Sequence, residues 1–254
     1  MTVTLKSPRE IELMRAAGQV VAEVHEILRE HTEPGVTTGE LNKLAHAHIT
    51  KRGGVPSFLG YHGFPGSICT SVNEQIVHGI PGERVLVDGD IVSIDVGVIL
   101  DRYHGDAART LPVGVVSEET TRLIRVTEES FWAGVALVRE GSRLGDVGFA
   151  IQKHAEAQGF HVVREYVGHG IGREMHESPQ VPNYGDPGTG RRLRKGMTLA
   201  IEPMVNIGSP GTRQLDDGWT VVTRSGGYSA HYENTVCVTD GDADVLTVMT
   251  HSVV

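Results

Sequence analysis

The sequence predicts an α+β protein in which helices lie on one side of a curved, mainly antiparallel sheet. Two observations lead to this prediction. Similar residues recur 106 positions apart, as in Gly35 and Gly141 or Gly39 and Gly145. The order of predicted elements also repeats, with two helices, then strands, then a hairpin that carries acidic side chains. We therefore expect the 254 residues to form one domain of two similar halves, at about 5–115 and 116–250.

Helix signals open each half. Ser7 and Glu10 form a capping box with proline at the first helical position, and apolar residues follow at helical spacing to about His31. Thr37 and Glu40 form a second capping box, for a helix through Lys51. The same reasoning predicts a third helix over 117–139 and a fourth over about 144–158.

Composition and charge narrow the range of possible functions. The chain has 23 basic and 32 acidic residues, a formal charge of −9, which disfavours a phosphate-backbone partner. It has no charged-then-apolar leader and no apolar run long enough to span a bilayer, so we expect a cytoplasmic protein. Cys69 and Cys237 are too few for a disulfide framework or a thiolate zinc site. Any metal ion must therefore be held by histidine and carboxylate ligands.

Histidines in the first half are ambiguous. The stretch 58–81 is rich in glycine and aromatic residues and predicts loops that line a pocket. His78 ends a predicted strand there and could present its imidazole to a site, although a packed or surface histidine fits the same pattern. His46 and His48 are two residues apart on the second helix, so they cannot face one site and are expected to be surface or packing residues.

The stretch 93–110 carries two acids that look buried. Apolar residues alternate with polar ones around Asp95, which predicts a strand with two different faces. If the chain turns through Leu100 and Asp101, Asp95 lies directly opposite Asp106 on one face. Like charges in that position destabilise a sheet, so we expect either a shared proton or a metal ion that both carboxylates bind. Two solvated acids at a sheet edge are the alternative reading of this stretch.

Three further candidate ligands lie in the second half. Glycines flank His169, so the backbone can approach closely there, but the spacing of a phosphate-binding loop is absent. Glu202 and Glu233 are single acids in otherwise apolar strands, where an unpartnered acid is rare. Four such acids and one histidine predict a metal site. These ligands suit Mn, Fe, Co or Zn more than copper.

The ordered set Asp95, Asp106, His169, Glu202 and Glu233, with the motifs GYHGFPGSIC, NEQIVHGIP, GHGIG and EP, resembles type I methionine aminopeptidases over nearly the whole chain. The resemblance implies a pseudo-twofold pita-bread fold that holds two divalent metal ions. It implies removal of the initiator methionine from nascent proteins whose second residue is small, with transient ribosome association. We expect the short bacterial form, without the N-terminal extension or helical insertion of other relatives, and a monomer.

The resemblance also assigns roles to the candidate ligands. Asp95 would bind one metal ion and His169 the other, while Asp106 and Glu233 would bridge the two ions. Glu202 would complete the ligand set and move the proton of the attacking water to the leaving amine.

Substrate contacts follow from the same resemblance. His176 would stabilise the tetrahedral oxyanion, and His78 would contact the substrate amide nitrogen. The methionine side chain would lie among aromatic and sulfur-containing residues, a set that ordinary core packing could also explain: Phe58, Tyr61, Phe64, Cys69 and Trp219. Asn73, Gln75 and Ser229 match positions that hold a monovalent cation in relatives.

One departure from the family pattern lies beside His176. Relatives commonly carry a small residue and then phenylalanine where this chain has Glu174 and Met175. Met175 keeps an apolar wall for the substrate, whereas Glu174 adds a charge near the mouth of the pocket.

Three other functions fit the sequence less well. A proline-directed peptidase of the same fold usually has a longer N-terminal domain. A binding protein that kept the fold and lost catalysis has no need of paired acids that repel each other. A metal-dependent oxygenase typically uses two histidines and one carboxylate, unlike this acid-rich set.

Overall fold

The computed structural model describes residues 3–249. Its helices are α1 (Pro8–His31), α2 (Thr38–Lys51), α3 (Glu118–Val135) and α4 (Leu144–Ala157). The strands of the first half are β1 (Val55–Pro56), β2 (Cys69–Val72), β3 (Gln75–Val77), β4 (Ile91–Leu100) and β5 (Tyr103–Pro112). Those of the second half are β6 (His161–Val162), β7 (Gly168–Gly170), β8 (Glu177–Val181), β9 (Thr198–Ile201), β10 (Met204–Asn206), β11 (Thr212–Gln214), β12 (Val221–Thr223), β13 (Ser229–His231), β14 (Asn234–Cys237) and β15 (Asp244–Val245).

Local signals set the helix ends. Both predicted capping boxes are present: the Ser7 and Thr37 hydroxyls accept from the backbone N–H groups of Glu10 and Glu40, whose carboxylates accept in return. Helix α3 ends at Val135, so the predicted extension to residue 139 was wrong. The chain leaves the helix there through tight turns, in which the N–H groups of Leu137 and Val138 bond to carbonyls three residues earlier.

Strands β4 and β5 form a hairpin of two ten-residue strands. Leu100 lies opposite Tyr103, and the turn consists of Asp101 and Arg102, both with positive φ (47° and 70°). This backbone matches the twist of a two-residue hairpin. An aspartate tolerates the left-handed region far better than a leucine, which explains why the turn does not begin at Leu100.

The register of this hairpin differs from the predicted one. Asp95 lies opposite Ala108, and Asp106 lies opposite Gly97, so the predicted direct opposition of Asp95 and Asp106 was wrong. The error is two positions, and side chains alternate with period two. The two aspartates therefore still share one face of the sheet, as diagonal neighbours.

A second hairpin carries the two glutamates. Strand β9 pairs with β14 so that Ile201 lies opposite Asn234. The next position along this ladder places Glu202 across from Glu233, just beyond the strand ends. Strands β10 and β13 continue in the same register on the other side.

The two hairpins meet along β5. Ala108 and Glu233 exchange backbone hydrogen bonds of 3.3 and 2.9 Å. Two positions away, the Thr110 hydroxyl donates to the His231 carbonyl and accepts from the His231 N–H. We call this junction the seam, formed by residues 106–110 and 231–235. It brings the acidic faces of both hairpins together.

The helices cover the opposite face of the sheets. Helices α1 and α2 bury apolar residues against the apolar side of β4, whose members are Val92, Ile94, Val96 and Val98. Helices α3 and α4 pack similarly on β9 and β10. All strand pairs of residues 3–249 are antiparallel, which agrees with the predicted arrangement. Among the helices of this part of the chain, none is long and apolar enough to cross a bilayer.

Arg109 holds the seam from behind. Its guanidinium donates to the backbone carbonyls of Ala108 and Glu233 and to the Asn234 side chain, and lies 4.3 Å from the centre of the Tyr232 ring. Burial lowers the pKa of Arg109, and the electrostatic effect of Tyr232 is the largest one that raises it. One cation thus links the backbones of both hairpins directly behind Glu233.

We predict that Arg109→Met lowers the free energy of unfolding by about 2–4 kcal/mol, because two carbonyls of the seam lose a charged donor. Urea unfolding of the metal-free protein measures this change. The matched control is Arg125→Met, which removes an exposed arginine paired with Glu129 four residues along α3 and should cost less than about 0.5 kcal/mol. Equal effects of the two substitutions would contradict the role given to Arg109.

Candidate metal centre

A cavity of about 150 Å³ opens on the acidic face of the sheets. Every residue that the sequence assigned to metal binding, catalysis or the methionine pocket lines it: Phe58, Tyr61, Phe64, Cys69, His78, Asp95, Asp106, His169, Met175, His176, Glu202, Trp219 and Glu233. These residues come from two stretches of the chain, 58–106 and 169–233. The fold brings the predicted set together in one place, and the individual roles stay predictions.

His169 lies against the carboxylates of both hairpins. Its Nε2 is 3.8 Å from Asp106 Oδ2 and 3.6 Å from Glu202 Oε1. Asp106, His169 and Glu233 each offer a donor atom within 4.8 Å of the others. Donor atoms that surround one ion at about 2.0–2.2 Å have separations of this order.

The tautomer of His169 follows from its other nitrogen. Nδ1 lies 2.9 Å from the carbonyl oxygen of Gly170, which can only accept, so Nδ1 carries the proton. The Nε2 lone pair is then free to point at the acids, the arrangement typical of metal-binding histidines. Burial, followed by His176, lowers the pKa of His169 to about 3, so the imidazole is neutral at physiological pH.

The four carboxylates lie together, Asp106 and Glu233 fully buried and Asp95 and Glu202 mostly buried. Burial is the largest cause of a raised pKa in each. The pKa of Asp95 rises to about 7. The pKa values of Asp106, Glu202 and Glu233 rise well above their usual range, because neighbouring carboxylates add repulsion to the effect of burial.

This donor set fits divalent metal ions. Asp95 Oδ1, Asp106 Oδ1 and Glu233 Oε1 are buried without a hydrogen-bond partner among residues 3–249. A proton shared by Asp95 and Asp106 satisfies only that pair and leaves both glutamates uncompensated. Buried carboxylates are normally paired or bound to metal, and divalent cations would offset all four negative charges.

The apolar end of the cavity consists of the predicted methionine pocket. Phe58, Phe64, Cys69 and Met175 form one buried cluster, with Trp219 packed against it. The Phe64 and Trp219 rings meet edge to face at 5.1 Å. These side chains pack on one another and also form the cavity wall, so core packing and a substrate pocket are the same set of contacts. A thioether would be well accommodated among such rings.

Two further histidines line the same cavity. His176 Nδ1 is 2.8 Å from the Tyr61 hydroxyl, and the His176 ring lies 4.2 Å from that of His169. His78 has a positive φ of 59°, a strained backbone of the kind that clusters at functional sites. Burial, followed by His176, lowers its pKa to about 4.

The histidines of α2 lie elsewhere, as expected. His46 Nδ1 is 2.8 Å from the Ser67 hydroxyl, and His48 Nε2 is 2.8 Å from Glu23. Both histidines are engaged in hydrogen bonds away from the cavity.

The predicted monovalent-cation residues are partly brought together. The Asn73 carbonyl accepts from the Ser229 N–H at 2.9 Å. The Asn73 amide donates to Asp90, and the Gln75 side chain accepts from the Val72 N–H. The side chains of Asn73 and Gln75 are thus engaged in hydrogen bonds within the protein. Binding of a monovalent cation stays a prediction.

The sequence reasoning missed His231. Its side chain is 2% exposed, and its Nε2 lies 3.8 Å from Glu202 Oε2 and 3.7 Å from Glu233 Oε2. The available signal was the spacing of His231 and Glu233, two positions apart on an extended segment, which puts both side chains on one face.

A carboxylate-rich site for divalent metal ions beside an apolar pocket defines the class of metal-dependent hydrolases. Comparison with known proteins then gives the family. The chain belongs to metallopeptidase family M24, whose family model matches residues 12–240. Members of a metallopeptidase family bind divalent metal ions, in agreement with the donor set.

Individual relatives agree over nearly the full length. The chain is 54% identical to a methionine aminopeptidase of Clostridium perfringens, over 97% of this chain and 99% of that protein. It is 53% identical to methionine aminopeptidase 1 of Bacillus subtilis, over 96% and 99%. The structure of a methionine aminopeptidase from Thermotoga maritima matches with a TM-score of 0.96 and 46% identity, over 98% of this chain and 100% of that chain. The predicted fold and family resemblance are confirmed.

A proline-directed relative shares the fold alone. An Xaa-Pro dipeptidase from Bacillus anthracis matches with a TM-score of 0.76 and 22% identity, over 98% of this chain and 63% of that chain.

We predict that Co²⁺ binding to the metal-free protein releases protons and tightens as the pH rises from about 5 to 7. The raised pKa values of the carboxylic acids mean that they retain protons in this range, and these protons must leave before the acids bind metal. Isothermal titration calorimetry in two buffers of different ionisation enthalpy counts the released protons. An affinity that is independent of pH, with no proton release, would contradict the prediction.

Proposed function

We propose that this protein removes the N-terminal initiator methionine from nascent proteins whose second residue is small. The observation that carries the proposal is a single cavity in which five metal-donor residues adjoin an apolar pocket suited to a methionine side chain. Relatives named methionine aminopeptidase, at 53–54% identity over nearly the full length, support the same activity.

Two divalent ions, drawn from Mn, Fe, Co or Zn, would be held by the acids and His169. Asp95 would serve one ion and His169 the other, with Asp106 and Glu233 shared between them and Glu202 completing the set. Metal ions in such a site lower the pKa of water and polarise the scissile carbonyl.

Glu202 is suited to moving the proton. Its Oε1 faces His169 Nε2 at 3.6 Å, and burial together with Asp95 and Asp106 raises its pKa well above its usual range. A carboxylate in this setting can take a proton from water and pass it to the leaving amine without solvent exchange.

Tyr61 sets the tautomer of His176. When the Tyr61 hydroxyl donates to Nδ1, the imidazole proton lies on Nε2, and that N–H can donate to an oxyanion. Burial, followed by His62, lowers the pKa of His176, so the ring acts as a neutral donor. His78, whose ring centre lies 6.5 Å from that of Trp219, would contact the substrate amide nitrogen.

The rival functions have less support. The proline-directed relative shares only the fold at 22% identity. In a catalytically inactive binding protein, the four clustered acids would lower the stability of the fold without serving metal binding. We propose the cytoplasm as the place of action, with N-terminal peptides as substrates, transient ribosome association and a monomeric enzyme.

We predict metal-dependent release of methionine from Met-Ala-Ser and no comparable cleavage of Xaa-Pro peptides. Asp106→Asn should lower kcat/KM by at least about 100-fold, because the carboxylate that would bind both ions loses its charge. Chromatographic measurement of free methionine after supplementing the metal-free protein with Co²⁺ or Mn²⁺ gives the rates.

The matched control is Asp101→Asn, at the exposed turn of the same hairpin, which should leave the rate within about two-fold. Preferred cleavage of Xaa-Pro peptides, or unimpaired turnover by Asp106→Asn, would overturn the proposed function.

A further inference from the structure

His231 is a buried imidazole at the edge of the metal centre. Its Nε2 is shielded from solvent and makes no hydrogen bond with residues 3–249. Two carboxylate oxygens lie near that nitrogen, Glu202 Oε2 at 3.8 Å and Glu233 Oε2 at 3.7 Å. Leaving a buried ring nitrogen unpartnered is costly, so a partner that is not a protein atom is indicated.

The distances match ligation better than hydrogen bonding. An N–H···O bond spans about 2.7–3.2 Å, and separations near 3.7 Å are outside that range. His169 Nε2, the histidine assigned to metal binding, lies 3.6 and 3.8 Å from its own carboxylate neighbours. His231 thus repeats the donor spacing of His169.

The donor atoms fall into two groups that share one residue. Asp106, His169 and Glu233 form the first group, and Glu202, His231 and Glu233 form the second, each within 4.8 Å. Glu202 lies between the imidazoles, with Oε1 towards His169 and Oε2 towards His231. Each group contains one histidine and two carboxylates, a donor number that suits a divalent ion with positions left for water or substrate.

The position of His231 in the fold agrees with a ligand role. The seam fixes the His231 backbone through Thr110, so the ring has little freedom to turn away from the acids.

We infer that His231 is a further ligand of the metal centre, binding through Nε2 an ion that it shares with Glu202 and Glu233. The inference rests on the proposed metal-dependent function and adds a second imidazole to the five predicted ligands. In this arrangement Nε2 supplies its lone pair to the ion and the ring proton stays on Nδ1.

The test is the number of coordinated imidazoles in the Co²⁺-loaded protein labelled with ring-¹³C histidine. Only rings bound to Co²⁺ acquire large contact shifts in NMR spectra. We expect two such rings in the wild-type protein, one lost in His231→Phe and the other in His169→Phe. His231→Phe should also weaken Co²⁺ binding by about 10–100-fold in calorimetry. Thermal unfolding of the metal-free variants shows whether each has folded, and the wild-type count needs no variant.

The outcomes separate this inference from the proposed function. A single shifted ring that disappears in His169→Phe, with unchanged Co²⁺ affinity in His231→Phe, would overturn the ligand role of His231 and leave the proposed function intact. No shifted ring in the wild-type protein would refute both.

Discussion

The burial of four carboxylates in one cavity is the constraint on which the rest of this structure depends. Asp95, Asp106, Glu202 and Glu233 repel one another, and burial alone raises their pKa values, so the folded chain holds them together at a cost. Divalent cations offset that cost, and they also supply the chemistry of a peptidase. The property that destabilises the metal-free site is therefore the one that makes it functional.

The scaffold fixes these acids through backbone pairing. Strand alternation puts the apolar side chains of β4 under the helices and Asp95 on the opposite face. The seam then aligns β5 with the segment around Glu233, so that one hairpin positions the acids of the other. Arg109 strengthens this junction from the helix side, where its charge also lies close behind Glu233. Packing, backbone hydrogen bonds and electrostatics thus all act on the residues of the seam.

Much of this could be predicted from the sequence because the signals are local. The capping boxes placed the starts of α1 and α2, and acids in apolar strands marked the site. The hairpin register was missed because it depends on whether Leu100 or Arg102 occupies the turn, a difference in backbone energy that alternation does not reveal. Arg109 was missed because its partners Glu233 and Asn234, over 100 positions away in the sequence, are brought near it only by the seam. His231 was missed because the pairing of β9 with β14 and of β10 with β13 brings it to Glu202, and its spacing from Glu233 was the only local signal. The division into two similar halves stays a prediction.

The most direct test of the central claim is the position of metal ions in a crystal of this protein soaked with Mn²⁺, located by anomalous scattering. We expect two anomalous peaks inside the cavity, both within about 2.5 Å of carboxylate oxygens of Asp106 and Glu233. Peaks confined to the protein surface, with the carboxylates of the cavity paired by protons or turned away from one another, would contradict it.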